Sequence, residues 1–209
     1  GERSKLIDKI NVAPRISFAY RLGTFDQLNF AYGQFYQTPG KDFLMWTKDF
    51  DFERATHYIF NYQYIGARRT FRIEAYYKDY DQLTKGTVFT HPYFELPQVE
   101  FSNGGKGYAK GIDIFWKDNE TFDFGYYWLS YTYLDTKREY LNYPTLASPP
   151  FSTPHTFSAV FKYWLNDITT NVGITYSFAT GRPYFNPNNP VFLGDKAKNY
   201  HNVSLNLSY

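Results

Sequence analysis

The sequence predicts an all-β protein, an antiparallel up-and-down meander that forms part of a transmembrane β-barrel. Three observations carry that prediction. Apolar and polar side chains alternate with period two over about nine segments, most of them roughly 10 to 14 residues long. The connections between those segments alternate between short and long. The chain of 209 residues holds 22 Tyr, 21 Phe and 4 Trp, 22% of the total, yet its mean hydropathy is -0.54, so its many rings are interleaved with polar groups.

The first segment, at about 14 to 22, is one of the less regular ones. The second alternates Leu28, Phe30 and Tyr32 with Asn29, Ala31 and Gly33. The third sets Tyr58, Phe60, Tyr62 and Tyr64 against Asn61 and Gln63, and the fourth sets Phe71, Ile73, Ala75 and Tyr77 against Arg72, Glu74, Tyr76 and Lys78. Segments at about 108 to 118, 121 to 135 and 155 to 165 follow with looser alternation. The eighth pairs Val172, Ile174, Tyr176 and Phe178 with Asn171, Gly173, Thr175 and Ser177; the ninth pairs Val203, Leu205, Leu207 and Tyr209 with Asn202, Ser204, Asn206 and Ser208.

Short turns are expected at Gly23-Thr24, Gly66-Ala67, Asn119-Glu120 and Asn166-Asp167. Between them lie long loops at about 37 to 54, 80 to 107, 136 to 154 and 180 to 199. All the long loops therefore fall at one end, as in an outer-membrane barrel with short periplasmic turns and longer extracellular loops. A bilayer also accounts for the aromatics, because Tyr and Trp suit the headgroup levels at either side of the apolar band. Arg72, Glu74, Lys78 and Asn206 would then line a wet lumen. With short turns in the periplasm, the first and ninth strands both run downward. Bacterial barrels of one chain hold an even number of strands, so the expectation is a piece of a larger barrel, lacking at least one upward strand.

Composition excludes several other classes. The 22 basic and 20 acidic residues are scattered, with a formal charge of +2, so no nucleic-acid partner is expected. Without cysteine there is no disulfide framework or thiolate site. No run approaches the ~18 apolar residues of a spanning helix, and Gly1 to Lys5 carries no signal-peptide core.

Asn103-Gly104-Gly105-Lys106-Gly107 is expected to close the second long loop, with glycine supplying positive φ, and Gly111 to mark a bulge or close backbone approach. The run is no phosphate cradle, since it leads into period-two residues and lacks a GK[ST] ending. The stretch from Asn103 to Ile114 resembles the N-x-G-x-G-x-A-x-G-I-D/E element of TonB-dependent outer-membrane receptors. Ala31 to Pro39 is similar to their Y-G-x-F-Y-Q-x-P, and Thr180-Gly-Arg-Pro-Tyr184, followed by Asn186 to Asn189, to their S-G-R-P-Y step. Pro154-His155 opening a strand also fits, and the variants look most like receptors of Bacteroidetes type.

The resemblance implies a 22-stranded barrel with an N-terminal plug, placed in the cell outer membrane, importing a scarce ligand with energy relayed through TonB. Residues 1–209 would be a partial barrel domain, with the plug and the N-terminal half of the barrel absent. The implied partners are outer-membrane lipid, a small-molecule or oligosaccharide ligand (a glycan, siderophore or cofactor), TonB through the absent N-terminal parts, and a surface lipoprotein.

Trp46, Tyr93, Phe94 and Tyr143 in the long loops are the candidate ligand-binding residues, since an aromatic face stacks on a sugar ring or an aromatic siderophore; the same rings could instead pack the loops. His57, His155 and His201 sit near the outer ends of downward strands. Strands about 4.8 Å apart keep them about 10 and 20 Å from one another, so no metal site is expected, and no cofactor. Ser152 and His155, with Asp49 or Asp51, sketch a nucleophile, base and acid, but no oxyanion hole is placed, so the chain is read as no enzyme. Two alternatives stay open: a soluble β-rich glycan-binding module, and a small outer-membrane barrel hydrolase.

Overall fold

A computed structural model describes residues 2–3, 10–44, 50–90 and 97–209. Nine strands form one antiparallel sheet in sequence order: β1 (Arg15–Arg21), β2 (Asp26–Gln37), β3 (Glu53–Ile65), β4 (Arg69–Thr90), β5 (Pro97–Phe122), β6 (Gly125–Glu139), β7 (His155–Leu165), β8 (Thr170–Ala179) and β9 (Tyr200–Ser208). Each predicted segment overlaps one of these strands, except that the one at 121 to 135 begins on the end of β5 and crosses the turn before β6. Two-residue pairings at Glu2–Arg3 with Ile10–Asn11 and at Pro183–Tyr184 with Asp195–Lys196 lie outside the sheet. A single helical turn, α1 (Lys41–Leu44), and a 3-10 turn at Asn166–Ile168 complete the described elements. No described helix is long and apolar enough to cross a membrane, a test that says nothing about spanning strands.

Register sorts the side chains, because directly opposed residues share a face while sequence neighbours do not. One row reads Phe18, Phe30, Phe60, Ala75, Ile112, Tyr133 across six strands. The row one residue along reads Ala19, Asn29, Asn61, Glu74, Asp113, Thr132. The sheet therefore has one apolar and one polar face. Arg72, Glu74, Lys78 and Asn206 all belong to the polar one.

Exposure shows which face is concave. On the polar face Asn61, Ala109 and Thr136 are 7%, 6% and 4% exposed, whereas on the apolar face Phe30, Phe60, Ile112 and Ile174 are 42%, 49%, 41% and 43% exposed. Curling a sheet crowds the side chains inside and splays those outside, so the polar face is the inner one. A soluble sandwich would bury the apolar face under a second sheet; among the described residues none covers it.

Charged pairs bound the apolar band. On β4 the outward positions between Arg69 and Asp79 are Phe71, Ile73, Ala75 and Tyr77, and on β5 those between Lys110 and Asp118 are Ile112, Ile114 and Trp116. Spacings of eight to ten residues are about 26 to 33 Å along a strand, or about 20 to 25 Å once it tilts by ~40°, which matches a band about 25 Å tall. Lys110 pairs with Asp135 at 3.4 Å above the band. Below it, the Asp118 carboxylate accepts from Arg69 Nε at 3.0 Å, from the Glu120 and Thr121 amides, and from the Thr121 hydroxyl.

Three expectations need correction. The glycine run from Gly104 to Gly107 closes no loop; it lies inside β5, and no described glycine has positive φ. The second long loop is shorter than 80 to 107, because β4 and β5 continue as a paired hairpin through Thr90↔Pro97. The third short turn falls at Asp123-Phe124; at Asn119-Glu120 the register shifts instead, where Asp118 holds the 120 and 121 amides.

Candidate functional site

The meander places the four long connections at one end of the sheet, and there the loops are latched to the strands. The β4–β5 ladder shifts register on both sides of the Leu83↔Gly105 pair, with Gln82 at φ 56. The Asn103 amide fills the gap this creates: it donates to the carbonyls of Asp51 and Gln82, both at 3.0 Å, and accepts from the Asp51 amide at 2.7 Å. Glu53 accepts from the Thr84 amide at 2.9 Å. Phe50 and Phe52 are buried beside these contacts, at 1% and 3% exposure. Asn103 is a residue that sequence reasoning quoted only as part of a motif.

Asn103→Ala removes the hydrogen bonds to the Asp51 amide and to the Asp51 and Gln82 carbonyls. It is expected to cost about 1–3 kcal/mol, and hydrogen exchange should show the loss as faster exchange at Asp51 and its neighbours, with the β7–β8 ladder unchanged.

A second latch crosses Gly107. The row Tyr80, Gly107, Arg138 runs over the inner face, and the Arg138 guanidinium lies 4.5 Å from the Tyr80 ring, 5.4 Å from Phe151 and 5.7 Å from Tyr140. Only a residue without a side chain between them lets the two meet: a Cβ at Gly107 would stand 2.9 Å from Arg138 Cγ. Lys85 pairs with Glu139 beside this stack, and Leu141 exchanges backbone hydrogen bonds with Thr84 and Gly86 at 2.7 Å each.

Tyr143 lies in the third loop, where it forms a small core with Ala147 and Leu193. Its ring meets Tyr140 and Phe192 edge-on, at 5.0 Å each, and so ties the third loop to the fourth. Burial pushes its hydroxyl pKa up to about 12. In the fourth loop, amide hydrogen bonds from Asn186 and Asn189 hold the Asp195 carboxyl below its usual range. Trp46, Tyr93 and Phe94 lie outside the described residues.

The histidines are distributed over both faces. His57 is on the inner face, with its ring 4.5 Å from Phe35; His155 and His201 are on the outer face, with Nδ1 2.8 Å from the Tyr131 hydroxyl and 3.0 Å from the Tyr176 hydroxyl. Among the described residues no three His, Asp or Glu converge in metal-binding geometry. Ser152 is buried at 3% exposure, and its hydroxyl makes no hydrogen bond to His155.

No family model matches the chain, and no curated protein matches its sequence. Solved structures do match its shape. The outer membrane transporter YddB from Escherichia coli superposes with a TM-score of 0.72 and 12% identity, over 97% of this chain and 34% of that one. The ferric-catecholate import receptor Fiu from E. coli K12, in its closed form, gives 0.69 and 14% over 92% and 28%. The FrpB iron transporter from Neisseria meningitidis gives 0.66 and 10% over 91% and 30%.

The likeness is one of fold. At such identities the shared feature is a run of barrel wall, and the chain spans about a third of the length of the structures it matches. All three of those proteins are transporters or receptors.

Proposed function

We propose that this chain is wall from the later part of the barrel of an outer-membrane receptor of the TonB-dependent kind, with motif variants of Bacteroidetes type. The receptor takes up a scarce ligand, a glycan, siderophore or cofactor, at its extracellular loops. Other parts of the protein supply the remaining strands, the plug and the contact with TonB, and a surface lipoprotein is a further partner. Trp46, Tyr93 and Phe94 are proposed to face the ligand, with Tyr143 holding the third and fourth loops beneath it.

The observation that carries this reading is the division of the sheet into two faces, with the large apolar residues on the outer one. A sheet of this kind is stable with lipid on one side and water on the other, once its edges β1 and β9 are paired. The absence of native cysteine makes the test direct. Single cysteines at Phe60, Ile112 and Ile174 should, once spin-labelled in liposomes, be relaxed by oxygen dissolved in the lipid. Those at Asn61, Asp113 and Gly173 should respond instead to a water-soluble nickel chelate. Equal response of the two sets would remove the membrane reading, and uptake by the full-length protein that persists in cells without TonB would remove the energised-receptor reading.

A further inference from the structure

The geometry points to an oxyanion-binding subsite at the loop end, built on Arg182 and Lys198, that takes a phosphate, sulfate or carboxylate group of a small soluble ligand. The inference rests on the receptor reading and adds the charge of the ligand group to it. A cavity of about 410 Å³ lies between the ends of β7 and β8 and the fourth loop. Thr153, Thr180, Gly181, Arg182, Lys198 and Tyr200 line it, and no carboxylate does.

Several other cations toward this end of the sheet have acidic partners, Arg54 with Asp81, Lys85 with Glu139 and Lys110 with Asp135, whereas Arg138 lies against aromatic rings. Among the described residues, the side chains of Arg182 and Lys198 have no acidic partner. Two like charges that share a concave site without a counterion raise each other's energy, and an oxyanion between them reverses the sign of that interaction. The guanidinium adds a planar fork of donors that fits two oxygens at once.

The backbone beneath the two cations is fixed before any ligand arrives. Pro183 pairs with Lys196 and Tyr184 with Asp195. The Ala197 amide donates to the Arg182 carbonyl at 2.9 Å, and the Gly181 amide donates to Asn199 Oδ1 at 3.0 Å. Any Cβ at Gly181 would collide with the Ala197 carbonyl, which is why this turn carries glycine. The Thr180 hydroxyl already accepts from the His155 amide at 3.0 Å. The hydroxyls of Thr153 and Tyr200 have no partner among the described residues and complete the donor set. The locked turn spares the backbone share of the ordering cost, leaving only the two exposed side chains to be ordered on binding.

The test is calorimetric titration of inorganic pyrophosphate into the full-length protein in zwitterionic micelles at low ionic strength. Saturable binding at one site is expected, weakened by salt. Arg182→Gln and Lys198→Gln should each weaken it about tenfold, as expected for loss of one charge-assisted contact, and the double variant should abolish it. Lys162→Gln, which removes an inner-face cation stacked near Tyr126 and Trp128, should leave it unchanged. No saturable binding by the wild type, or full binding by the double variant, overturns the subsite. So does competition by an anionic phospholipid added to the micelles, which would make the cavity a headgroup site. A barrel that passes the spin-label test but binds no pyrophosphate loses this subsite alone; one that fails the spin-label test loses the receptor reading whatever it binds.

Discussion

Ile114→Arg is expected to destabilise the protein in a bilayer by about 2–4 kcal/mol, the cost of a basic side chain near the membrane midplane on a lipid-facing strand. Ile114 is on β5 four residues from Lys110 and four from Asp118, so it sits midway between the charges that bound the apolar band. Its cross-strand neighbours are Ile73 and Tyr131, and neither offers the guanidinium a counterion. The side chain would have to reach about 13 Å along the strand, at ~3.3 Å per residue, before meeting the charges that bound the band. Ser130→Lys is the comparison. Ser130 opposes Phe115 and Ser158 on the inner face, where a cation stays hydrated, and the expected change is under about 0.5 kcal/mol. Denaturant unfolding in liposomes measures both; equal losses would mean that the two faces see the same solvent.

Gly111→Val is expected to cost about 3 kcal/mol, the upper part of the range for overpacking. A Cβ there would collide with the Tyr133 carbonyl and stand 2.5 Å from the Tyr76 hydroxyl. Tyr76 and Gly111 are direct partners on β4 and β5, so the tyrosine ring lies across the glycine and covers its backbone. The backbone oxygen cannot yield without breaking the β5–β6 ladder. Gly173→Ala supplies the contrast: a Cβ there meets nothing closer than 3.7 Å, and replacing glycine within a strand gains about 0.5–1 kcal/mol. Opposite signs at the two positions would establish that close approach, and not backbone freedom, explains the glycine in β5. Equal effects would refute that account.

Much of the wall was legible because strand alternation is local. Phe60 and Asn61 declare opposite faces by being neighbours, whatever lies beside them. The loop lengths gave the polarity of the meander for a similar reason, since a hairpin turn is a short-range event. The errors fell where one strand's structure is set by another. The run from Gly104 to Gly107 looks like a loop exit in one dimension, because glycine there has no partner to explain it. In the folded sheet Gly107 lies between Tyr80 and Arg138, and the same residue becomes the one that lets a cation and a ring meet.

The loop end shows the same division. Tyr143 declared an aromatic in a long loop, and only packing against Phe192 of the next long loop shows what two of its edges touch. Asn103 reaches Asp51, 52 positions away, and nothing in either neighbourhood announces the other. Arg182 and Lys198 share a cavity because Gly181 tolerates contact with the Ala197 carbonyl.

The sequence by itself determined that these strands alternate, in which order they run, and at which end the long loops gather, because side-chain direction reverses with every residue and a turn closes within a few. The tertiary structure decided the registers, the places where they shift, and the pairing of loops. Those depend on steric fit between segments that meet only after the chain has folded.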